Sequence, residues 1–584
     1  MELKQSSRFF KIICNVSSTK YEIVRHAAKK ILGWKLSYDE DTDEWDVFWT
    51  DTAVQPEKLA KMKHYQRINH FPGMYLISRK NYLAFNLGKL KRIFPDSYNF
   101  YPRTWVIPCD LGDLKSFMSS KKNPYVIVKP EASCQGRGIY ITKRIEDINP
   151  DEKHVVQEYL TKPFLIDNLK FDLRIYVLVT SCDPLRIFIH EDGLTRFATE
   201  EYEKPNSTNI EDMCMHLTNY AINKNNPNFI QNEDPECDDV GHKRSLKSTY
   251  DFIQNEGYDV ERLKGRIDDM IIKTLCAVQP NLCHHYRSCQ ADDYSRAMCF
   301  EILGFDVIID KKLNPYVLEV NHTPSFSTDS PLDRTIKKTV ISQALELVNV
   351  STRNRKKYFK KQKEDIQKRS MTGKMERLTI EERKLLISSL NSKRNKYEMK
   401  HCGGYRKIYP TENDEYNKYI EASDNLWQEW TGAKIVRSRR LETKSPVPRP
   451  IRPATNNTQK PKSQVIVKVP SKAESYMERP SSTIFERLSQ PVIRKYRSTT
   501  VNCLPGIIYE EKKDQKKDMP IMINPCIEYD KPIIKPRVYS EIKASPANRP
   551  IAQRHIGLTL KEILSGRPGT SSKSRYLNFA LGSK

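Results

Sequence analysis

The sequence has no apolar run long enough to cross a bilayer, although it extends over 584 residues. A membrane-spanning helix needs about 20 consecutive apolar residues, so we expect no membrane-embedded segment. The N-terminal residues MELKQSSRFFKII lack a long apolar core and a small-residue cleavage site, so we also expect no signal peptide. The 13 cysteines are scattered singly, which indicates reduced thiols in the cytosol rather than a disulfide framework.

Several common motifs are also missing from the sequence. Neither G-x-x-x-x-G-K-[ST] nor G-x-G-x-x-G occurs, which excludes P-loop and Rossmann nucleotide sites. No zinc finger, KH loop or RNP motif is visible, which disfavours a nucleic-acid partner. The spacing around Cys283 and Cys289 fits no common zinc pattern. We also find no Ser/His/Asp or Cys/His pairing, so nothing predicts a covalent nucleophile.

The sequence is strongly basic and unevenly composed. A net charge of +25 implies a polyanionic partner, which is a nucleic acid, an anionic membrane or an acidic protein surface. Lysine and arginine crowd the helical pattern that begins near Ser351, and we interpret residues 351–441 as a docking segment for an acidic partner. Proline, serine and lysine dominate residues 442–584, which we predict to be mostly disordered.

The most informative stretch is 298–327, where two apolar strands flank a turn. Cys299–Asp310 and Tyr316–Val320 follow strand patterns, and three polar side chains interrupt them. Glu319 and Asn321 are two residues apart and so share a face, and a hairpin can bring Asp306 opposite them. These three oxygen donors suit Mg²⁺ bound together with phosphates. The alternative is an ordinary hairpin with a solvated polar face.

A small-residue loop between two predicted strands suggests phosphate binding. Tyr125–Lys129 and Ile139–Thr142 are the strands, and Gly136 and Gly138 lie in the loop. Such a loop can present backbone N–H groups to phosphates. Lys129, at the end of the first strand, can reach the α- or β-phosphate. The glycine pair alone is weak evidence, and the lysine strengthens the interpretation.

Two later strands complete a nucleotide-binding pattern. The end of Val155–Leu160 is where an adenine would stack and form backbone hydrogen bonds. In Lys170–Thr180 the ionisable side chains Lys170, Asp172 and Arg174 share one face. Such a row is costly on a half-buried strand unless a polar ligand covers it, although a solvated sheet face remains the alternative.

Two further stretches bear on the ligand. His216–Tyr220 is a polar loop placed like a ligand contact, and Pro331–Val350 is predicted to be a helix. Lys80 begins another predicted helix, and we expect its side chain to face solvent, with a ligand contact as the alternative.

These parts follow the order of an ATP-grasp enzyme, in which two antiparallel sheets hold ATP between them. The motifs KPEASCQGRGI, VVQEYL, KFDLRIYVLVT, GLTRFAT, HLTNYAINK, CFEILGFDVIID and LEVNHTPSF resemble those of the tubulin–tyrosine-ligase-like family, over about residues 9–350. The likeness is greatest to the chain-elongating polyglutamylases. The resemblance implies an α/β (α+β) ATP-grasp fold, with an N-terminal α/β domain at 1–105 and catalytic domains at 106–350. The segment 351–441 would be a cationic helical microtubule-binding region.

The resemblance also implies roles for individual residues. The expected ATP contacts are Lys129, Gln135, Gly136, Gln157, Glu158, Tyr159, Leu160, Lys170, Phe171, Asp172, Thr218 and Asn219. The expected Mg²⁺ ligands are Asp306, Glu319 and Asn321. Arg174 would lie near the transferred phosphoryl group and, with Arg196 and Glu319, would be catalytic. Arg196, Lys243 and Lys337 would bind the incoming glutamate. Ala221 replaces a serine that contacts glutamate in similar proteins, which affects the details of amino-acid binding.

The implied reaction is ATP-dependent glutamylation of tubulin C-terminal tails through an acyl phosphate, with free L-glutamate as the incoming amino acid. We expect a monomer that binds no nucleic acid and no membrane, located in the cytoplasm on microtubules of the cytoskeleton, at a cilium axoneme or basal body. Three cations favour glutamate over glycine, because glutamate carries a second carboxylate. The alternatives are a glycylase of the same family, an inactive microtubule-associated protein and a nucleic-acid-binding protein.

Overall fold

The computed structural model describes residues 11–131, 136–234, 236–372 and 378–432. The predicted tail at 442–584 and the expected ATP contact Gln135 therefore lie outside the described residues. Within the described ranges, none of the helices is both long and apolar enough to span a membrane.

A parallel four-stranded sheet, in the order β2-β1-β3-β4, lies at the start of the described chain. Side chains alternate along β3, so that Phe48 enters one apolar core while Val47 and Trp49 enter another. The sheet is therefore covered on both faces. The elements of this part are β1 (Ile13–Ser18), α1 (Glu22–His26), a π-helical turn (Ala27–Ile31), β2 (Lys35–Ser37), β3 (Val47–Thr50), α2 (Pro56–Lys61), β4 (Arg67–Ile68), α3 (Tyr75–Ser78) and α4 (Lys80–Ile93).

An antiparallel four-stranded sheet follows, in the order β5-β8-β6-β7. Its elements are β5 (Thr104–Ile107), α5 (Leu111–Ser120), β6 (Val126–Pro130), β7 (Tyr140–Thr142), a 3₁₀ turn (Ile145–Asp147) and β8 (His154–Glu158). One face packs on α5 through Val126, Val128 and Val156. The other face presents Ile127 and Ile141 to a smaller apolar cluster. The domain boundary that we expect at 105 falls within β5.

A larger antiparallel sheet is built around the long strand β10. The strand β14 pairs along one edge of β10, while β12 and then β11 pair along the other. Its strands and surrounding helices are β9 (Leu165–Ile166), β10 (Leu169–Cys182), β11 (Leu185–His190), β12 (Leu194–Glu201), α6 (Met213–His216), α7 (Tyr220–Asn223), β13 (Lys243–Ser245), α8 (Leu246–Asn255), α9 (Val260–Cys276), α10 (Gln279–Cys289), β14 (Glu301–Ile309) and β15 (Pro315–Asn321).

The alternation along β10 explains the position of the ionisable row. Leu173, Ile175 and Val177 enter the main core, so Lys170, Asp172 and Arg174 lie on the opposite face. That face becomes apolar further along the strand, where Tyr176 and Leu178 join the core beneath α11 (Pro331–Leu347).

The basic C-terminal segment is partly built into the large sheet. Its elements are α12 (Thr352–Thr372), α13 (Ile380–His401), β16 (Tyr405–Tyr409), a 3₁₀ turn (Asp414–Tyr416) and α14 (Asn417–Thr431). The sequence predicted a helical region at 351–441 and no strand within it. The structure instead has β16 paired antiparallel with β11, so a strand of the region predicted at 351–441 extends the sheet that contains β10.

A buried ionic cluster joins α13 to the same sheet. The Glu398 carboxylate accepts from Arg186 Nη1 at 2.7 Å, Arg394 Nε at 3.0 Å and Lys407 Nζ at 3.3 Å. Arg394 Nη2 also donates to the Thr180 carbonyl at 2.7 Å. Because Arg186 and Glu398 are both 2% exposed, this cluster is part of the folded interior.

Candidate functional site

Two antiparallel strands bring the three predicted metal ligands together. In the register of β14 and β15, Asp306 lies opposite Glu319 and Gly304 lies opposite Asn321. The Asn321 amide donates to Asp306 Oδ2 at 3.3 Å and to Glu319 Oε1 at 3.1 Å. The three side chains therefore occupy one small region of the sheet face, as the two-residue period predicts.

The electrostatics of this trio are unfavourable without a cation. Burial raises the pKa of Glu319, and the charge of Asp306 raises it further. Burial acts in the same direction on Asp306, but Arg174 and Arg196 outweigh it and hold the pKa of that carboxyl well below its usual range. Asp306 is thus ionised beside a carboxyl group that resists ionisation.

The donor chemistry of the trio fits Mg²⁺. Two carboxylates and an amide are oxygen donors of the kind that this ion prefers. The Asn321 amide nitrogen now faces the two carboxyl groups, and rotation of the amide would bring its oxygen to that side. Among the described residues, no cluster of three or more His, Cys, Asp and Glu side chains has the arrangement of a metal site. The third ligand of the trio is an amide, which lies outside that class.

Two arginines link the trio to strand β10. Arg174 donates to Asp306 through Nε at 2.5 Å and Nη2 at 3.0 Å. Arg196 on β12 makes a bidentate contact with Asp172, at 2.7 and 2.9 Å, and its Nη2 lies 2.9 Å from Asp306 Oδ2. The Thr218 hydroxyl donates to Asp172 as well. Paired contacts of this kind hold the guanidinium planes in fixed orientations.

Two lysines, the half-buried Lys129 and the buried Lys170, face the same region. Lys129 Nζ donates to Gln157 Oε1 at 2.8 Å, and Gln157 in turn donates to the Thr104 hydroxyl at 2.9 Å. Lys170 Nζ donates to the Tyr159 hydroxyl at 2.9 Å and to the His216 carbonyl at 2.7 Å. None of these lysine contacts is to a carboxylate.

Burial depresses the pKa of both lysines. The pKa of Lys129 falls to about 8, because burial and nearby Lys80 outweigh Glu319 and Asp306. The pKa of Lys170 falls to about 7, because burial and Lys129 outweigh Asp172. An anionic ligand placed between them would restore their full charge.

These groups line a cleft between the two antiparallel sheets. One part of the wall is apolar and includes Ile127, Leu217 and Leu318, whereas the other part carries the charges. The expected site residues that line it are Lys129, Gln157, Glu158, Tyr159, Leu160, Lys170, Asp172, Arg196, Thr218, Asn219, Asp306 and Glu319.

Other expected site residues are not part of that lining. Phe171 is on the opposite face of β10, packed in the core with its ring 5.4 Å from that of Phe197. Only its backbone could contact a nucleotide. Arg174 lies behind Asp306, and Asn321 lies beside the lining residues.

The glycine loop approaches the cleft closely. Gly136 has a φ of 82°, and a Cβ there would meet the end of the Ile222 side chain and lie 3.4 Å from the Asn219 side chain. Glycine is therefore favoured by the backbone conformation.

Lys243 and Lys337, two of the three residues expected to bind the amino acid, meet on one carboxylate. Lys243 Nζ lies 2.7 Å from Asp333 Oδ2, and Lys337 Nζ lies 2.6 Å from Asp333 Oδ1. Lys243 is paired in register with Arg196 and lies over the Tyr220 ring at 3.9 Å. Ala221 follows Tyr220 on α7. We call Lys243, Asp333 and Lys337 the amino-acid cluster, after the ligand expected for the two lysines. This cluster is adjacent to the cleft rather than part of its lining.

Sequence reasoning misjudged Lys80 and missed Asp333. Lys80 lines the cleft, so our expectation that it faces solvent is wrong. Asp333 had no sequence signal beyond an acidic residue in a first helical turn. His216 belongs to the polar loop that we expected to contact a ligand; it lines the cleft, and its Nδ1 lies 3.1 Å from the Tyr159 hydroxyl.

Comparisons with known proteins identify the family of the chain. The sequence pattern of the tubulin–tyrosine ligase family matches residues 58–358. The chain is 52% identical over 440 residues to a probable beta-tubulin polyglutamylase of Tetrahymena thermophila, an alignment that covers 74% of this chain and 37% of that protein. It is 44% identical over 425 residues to tubulin polyglutamylase ttll6 of Danio rerio, covering 73% of this chain and 54% of that protein. The chain thus spans about half the length of these relatives or less.

Proposed function

The chain belongs to the tubulin–tyrosine ligase family, and we propose that it is an ATP- and Mg²⁺-dependent polyglutamylase of tubulin tails. The observation that carries this proposal is that the Asp306–Glu319–Asn321 trio lies close to Lys129, Lys170 and Arg196 at one cleft between two antiparallel sheets. The names of the two relatives, both polyglutamylases of tubulin, support the substrate.

We assign the cleft to ATP in an ATP-grasp arrangement. The apolar wall formed by Ile127, Leu217 and Leu318 suits the adenine. Lys129 and Lys170 suit the phosphates, because their depressed pKa values make them responsive to negative charge. Gln135 and Gly136 in the glycine loop are proposed phosphate contacts, together with Thr218 and Asn219 on the facing loop.

Asp306, Glu319 and Asn321 would hold Mg²⁺, which would neutralise charge on the triphosphate when bound. Arg196 is already oriented by Asp172 and also contacts the carboxylate of Asp306. Its position beside both the trio and the amino-acid cluster suits a role at the point of transfer. Arg174 fixes Asp306 from behind.

The reaction proceeds by two displacements. One carboxylate oxygen of an acceptor glutamate attacks the γ-phosphorus of ATP, and the bond to the β–γ bridging oxygen breaks, leaving ADP and an acyl phosphate. The amine of the incoming glutamate, after loss of a proton, then attacks the acyl carbon. The carbon–oxygen bond to phosphate breaks, and an isopeptide bond and inorganic phosphate remain. The residues proposed for these steps orient and neutralise anions, and none forms a covalent bond.

The cations near the transfer point favour glutamate over glycine. Arg196, Lys243 and Lys337 provide three positive groups. Asp172 and Asp306 pair with Arg196, and the buried Asp333 balances one of the two lysines, so one lysine charge is left over. Glycine has a single carboxylate, but glutamate also carries one on its side chain. The additional carboxylate is the partner that this cluster can accommodate.

Helix α12 is the proposed docking surface for microtubules. Arg355 binds the buried Asp46 at 3.0 Å, and Tyr358 packs on Tyr65 with ring centres 5.4 Å apart, so one side of the helix is anchored. The exposed cations of this helix are Arg353, Lys356, Lys357, Lys360, Lys361, Lys363, Lys368 and Arg369. An acidic tubulin tail complements this charge, which would place the protein on cytoplasmic microtubules, including those of the cilium axoneme or basal body.

The direct test incubates the purified chain with microtubules, ATP, Mg²⁺ and either labelled glutamate or labelled glycine. We expect label from glutamate to enter tubulin and to disappear when the tails are removed by limited proteolysis. Transfer of glycine instead of glutamate would identify a glycylase. Microtubule binding without either transfer would identify an inactive microtubule-associated protein.

A further inference from the structure

The carboxylate of Asp333 is the most enclosed acidic group near the amino-acid cluster. Asp333 is 0% exposed and is the third residue of α11, where its backbone N–H donates to the Ser330 hydroxyl at 3.1 Å. The same hydroxyl lies 3.1 Å from Asp333 Oδ2. Each carboxylate oxygen also meets a lysine, Lys243 on one side and Lys337 on the other. One side chain thus fixes the separation of two cations.

This arrangement leaves more positive charge than Asp333 can balance. An ordinary structural ion pair would need one lysine, and a second buried lysine is costly without an anion. Asp329 also acts on Lys243, but it is exposed and therefore screened by solvent. Lys337 Nζ makes one further contact, to the Ser327 carbonyl at 2.5 Å. A carboxylate ligand would complete the charge balance.

The two lysines are connected to the transfer point through the sheet. Lys243 lies opposite Arg196 in the β12–β13 register, and such pairs share one face of an antiparallel sheet. Arg196 contacts Asp306 on that face. The buried Tyr176 hydroxyl interacts electrostatically with Asp333 as well as with Arg174, Arg196 and Asp306. Asp333 therefore lies in the electrostatic environment of the proposed active site.

We infer that Asp333 is a positioning residue that holds Lys243 and Lys337 beside Arg196, so that together they bind a carboxylate of the incoming amino acid. This inference rests on the proposed function. It assigns to Asp333 no contact with the substrate, since its own oxygens are occupied by the lysines. Without the Asp333 carboxylate, the ammonium groups of Lys243 and Lys337 would be free to move apart.

The test measures steady-state kinetics of the full chain and its Asp333→Asn variant on microtubules. We expect the KM for glutamate to rise at least about tenfold, since losing one buried partner weakens a charged cluster, while the KM for ATP changes less than about twofold. The matched control is Glu398→Gln, which removes a carboxylate that is equally buried among cations but lies in the α13 cluster. It should leave both KM values near those of the wild type.

The pH profile separates positioning from a general loss of structure. Burial lowers the pKa of Lys243, and Asp333 opposes that shift. Without the carboxylate the pKa of Lys243 falls further, so its charge is lost at lower pH. The KM for glutamate should therefore begin to rise at lower pH in Asp333→Asn than in the wild type. A purely structural defect would not move this onset.

A milder variant keeps the test decisive if Asp333→Asn does not fold. Ser330→Ala removes the hydroxyl beside Asp333 and also a helix cap, and Thr379→Ala removes the comparable cap of α13 as its control. We expect the glutamate KM to rise about threefold in Ser330→Ala and to stay unchanged in the control Thr379→Ala. An unchanged glutamate KM in the folded variant tested would overturn the role of Asp333. Absence of glutamate transfer by the wild type would instead overturn the proposed function.

Discussion

Asp306 and Glu319 lie directly opposite one another on neighbouring antiparallel strands. Asn321, two residues beyond Glu319, donates to both carboxyl groups. The buried Asp306 and the half-buried Glu319 repel one another in this position. The raised pKa of Glu319 reflects both loss of solvent around it and that repulsion. The pair is therefore unfavourable for the isolated protein and favourable for a cation-bound complex.

Replacing Glu319 tests that relationship. Glu319→Gln should lower glutamate transfer at least about a hundredfold, because it removes an anionic donor from the proposed Mg²⁺ site. Microtubule binding, which we assign to α12, should persist in a sedimentation assay. The ligand-free variant should also unfold at a higher temperature than the wild type at neutral pH, because the repulsion is gone. Wild-type turnover in Glu319→Gln would contradict the site.

The two lysines of the cleft predict proton uptake on ATP binding. Their pKa values, about 8 for Lys129 and about 7 for Lys170, lie below the ordinary value of 10.5. Near pH 8 the unfolded chain therefore holds more protons than the folded one, so these groups make the free protein more stable as pH rises from about 7 toward 10.5. Phosphates reverse the shift and draw protons in.

Calorimetry in buffers of different ionisation enthalpy measures this uptake directly. Titration of ATP at pH 8 should show net proton binding, and Lys129→Gln should reduce it. Lys115, an exposed lysine of α5, provides the control, since Lys115→Gln should leave the uptake unchanged. Binding of ATP with no proton exchange would contradict the assigned role of these lysines.

Arg196 should not tolerate conversion to lysine. The guanidinium makes a bidentate contact with Asp172 and reaches Asp306 at the same time, which an ammonium cannot reproduce. We expect Arg196→Lys to lower turnover roughly a hundredfold, by analogy with the loss of one preorganised donor. Arg244 on β13, which lies opposite Thr195, pairs with the half-exposed Asp167. Turnover should therefore be nearly normal in Arg244→Lys, and equal losses in both variants would argue against a specific role for Arg196.

The Glu398 cluster predicts that α13 belongs to the folded unit. Glu398→Gln leaves Arg186, Arg394 and Lys407 without their shared carboxylate. Breaking a buried pair in this way costs about 3–5 kcal/mol, which denaturant unfolding can measure. Glu364→Gln breaks only the exposed contact with Lys360 and should cost less than about 1 kcal/mol. Equal stability of the two variants would show that α13 is loosely attached.

Docking through α12 should depend on charge and on salt. Lys357, Lys361 and Lys368 are exposed and fall on one side of the helix. Changing all three to glutamate should weaken microtubule binding at least about tenfold and reduce its salt dependence. The same change at the exposed Lys29, Lys30 and Lys115 alters net charge equally and should have little effect. Equal weakening by both triple changes would indicate a non-specific attraction.

Much of the site was predictable because its signals are local. Polar residues interrupting the apolar strands at 298–327 fixed the faces of Asp306, Glu319 and Asn321, and the structure brings them together. The same period placed Lys170, Asp172 and Arg174 on one side of β10. The mixed α/β class, which the family resemblance implied, is confirmed.

Pairings between distant residues could not be read from the sequence. Asp333 resembles any acid in a first helical turn, and its burial depends on Lys243, 90 residues away. The strand β16 is recognisable only through its pairing with β11. Phe171 shows a different difficulty, since a role implied by family resemblance conflicts with a side chain that the strand directs into the core.

The central claim is that ATP activates a tail carboxylate, and transfer of a heavy oxygen isotope tests it most directly. An acceptor peptide with acidic residues like those of a tubulin tail would carry the isotope in its glutamate side-chain carboxylates, and mass spectrometry would follow peptide and phosphate together. We predict that the first glutamyl residue added to each labelled side chain releases one phosphate that carries one heavy oxygen, and that Glu319→Gln releases none. Glutamyl addition to the labelled side chains with unlabelled phosphate, the lost heavy oxygen appearing in water instead, would contradict the account.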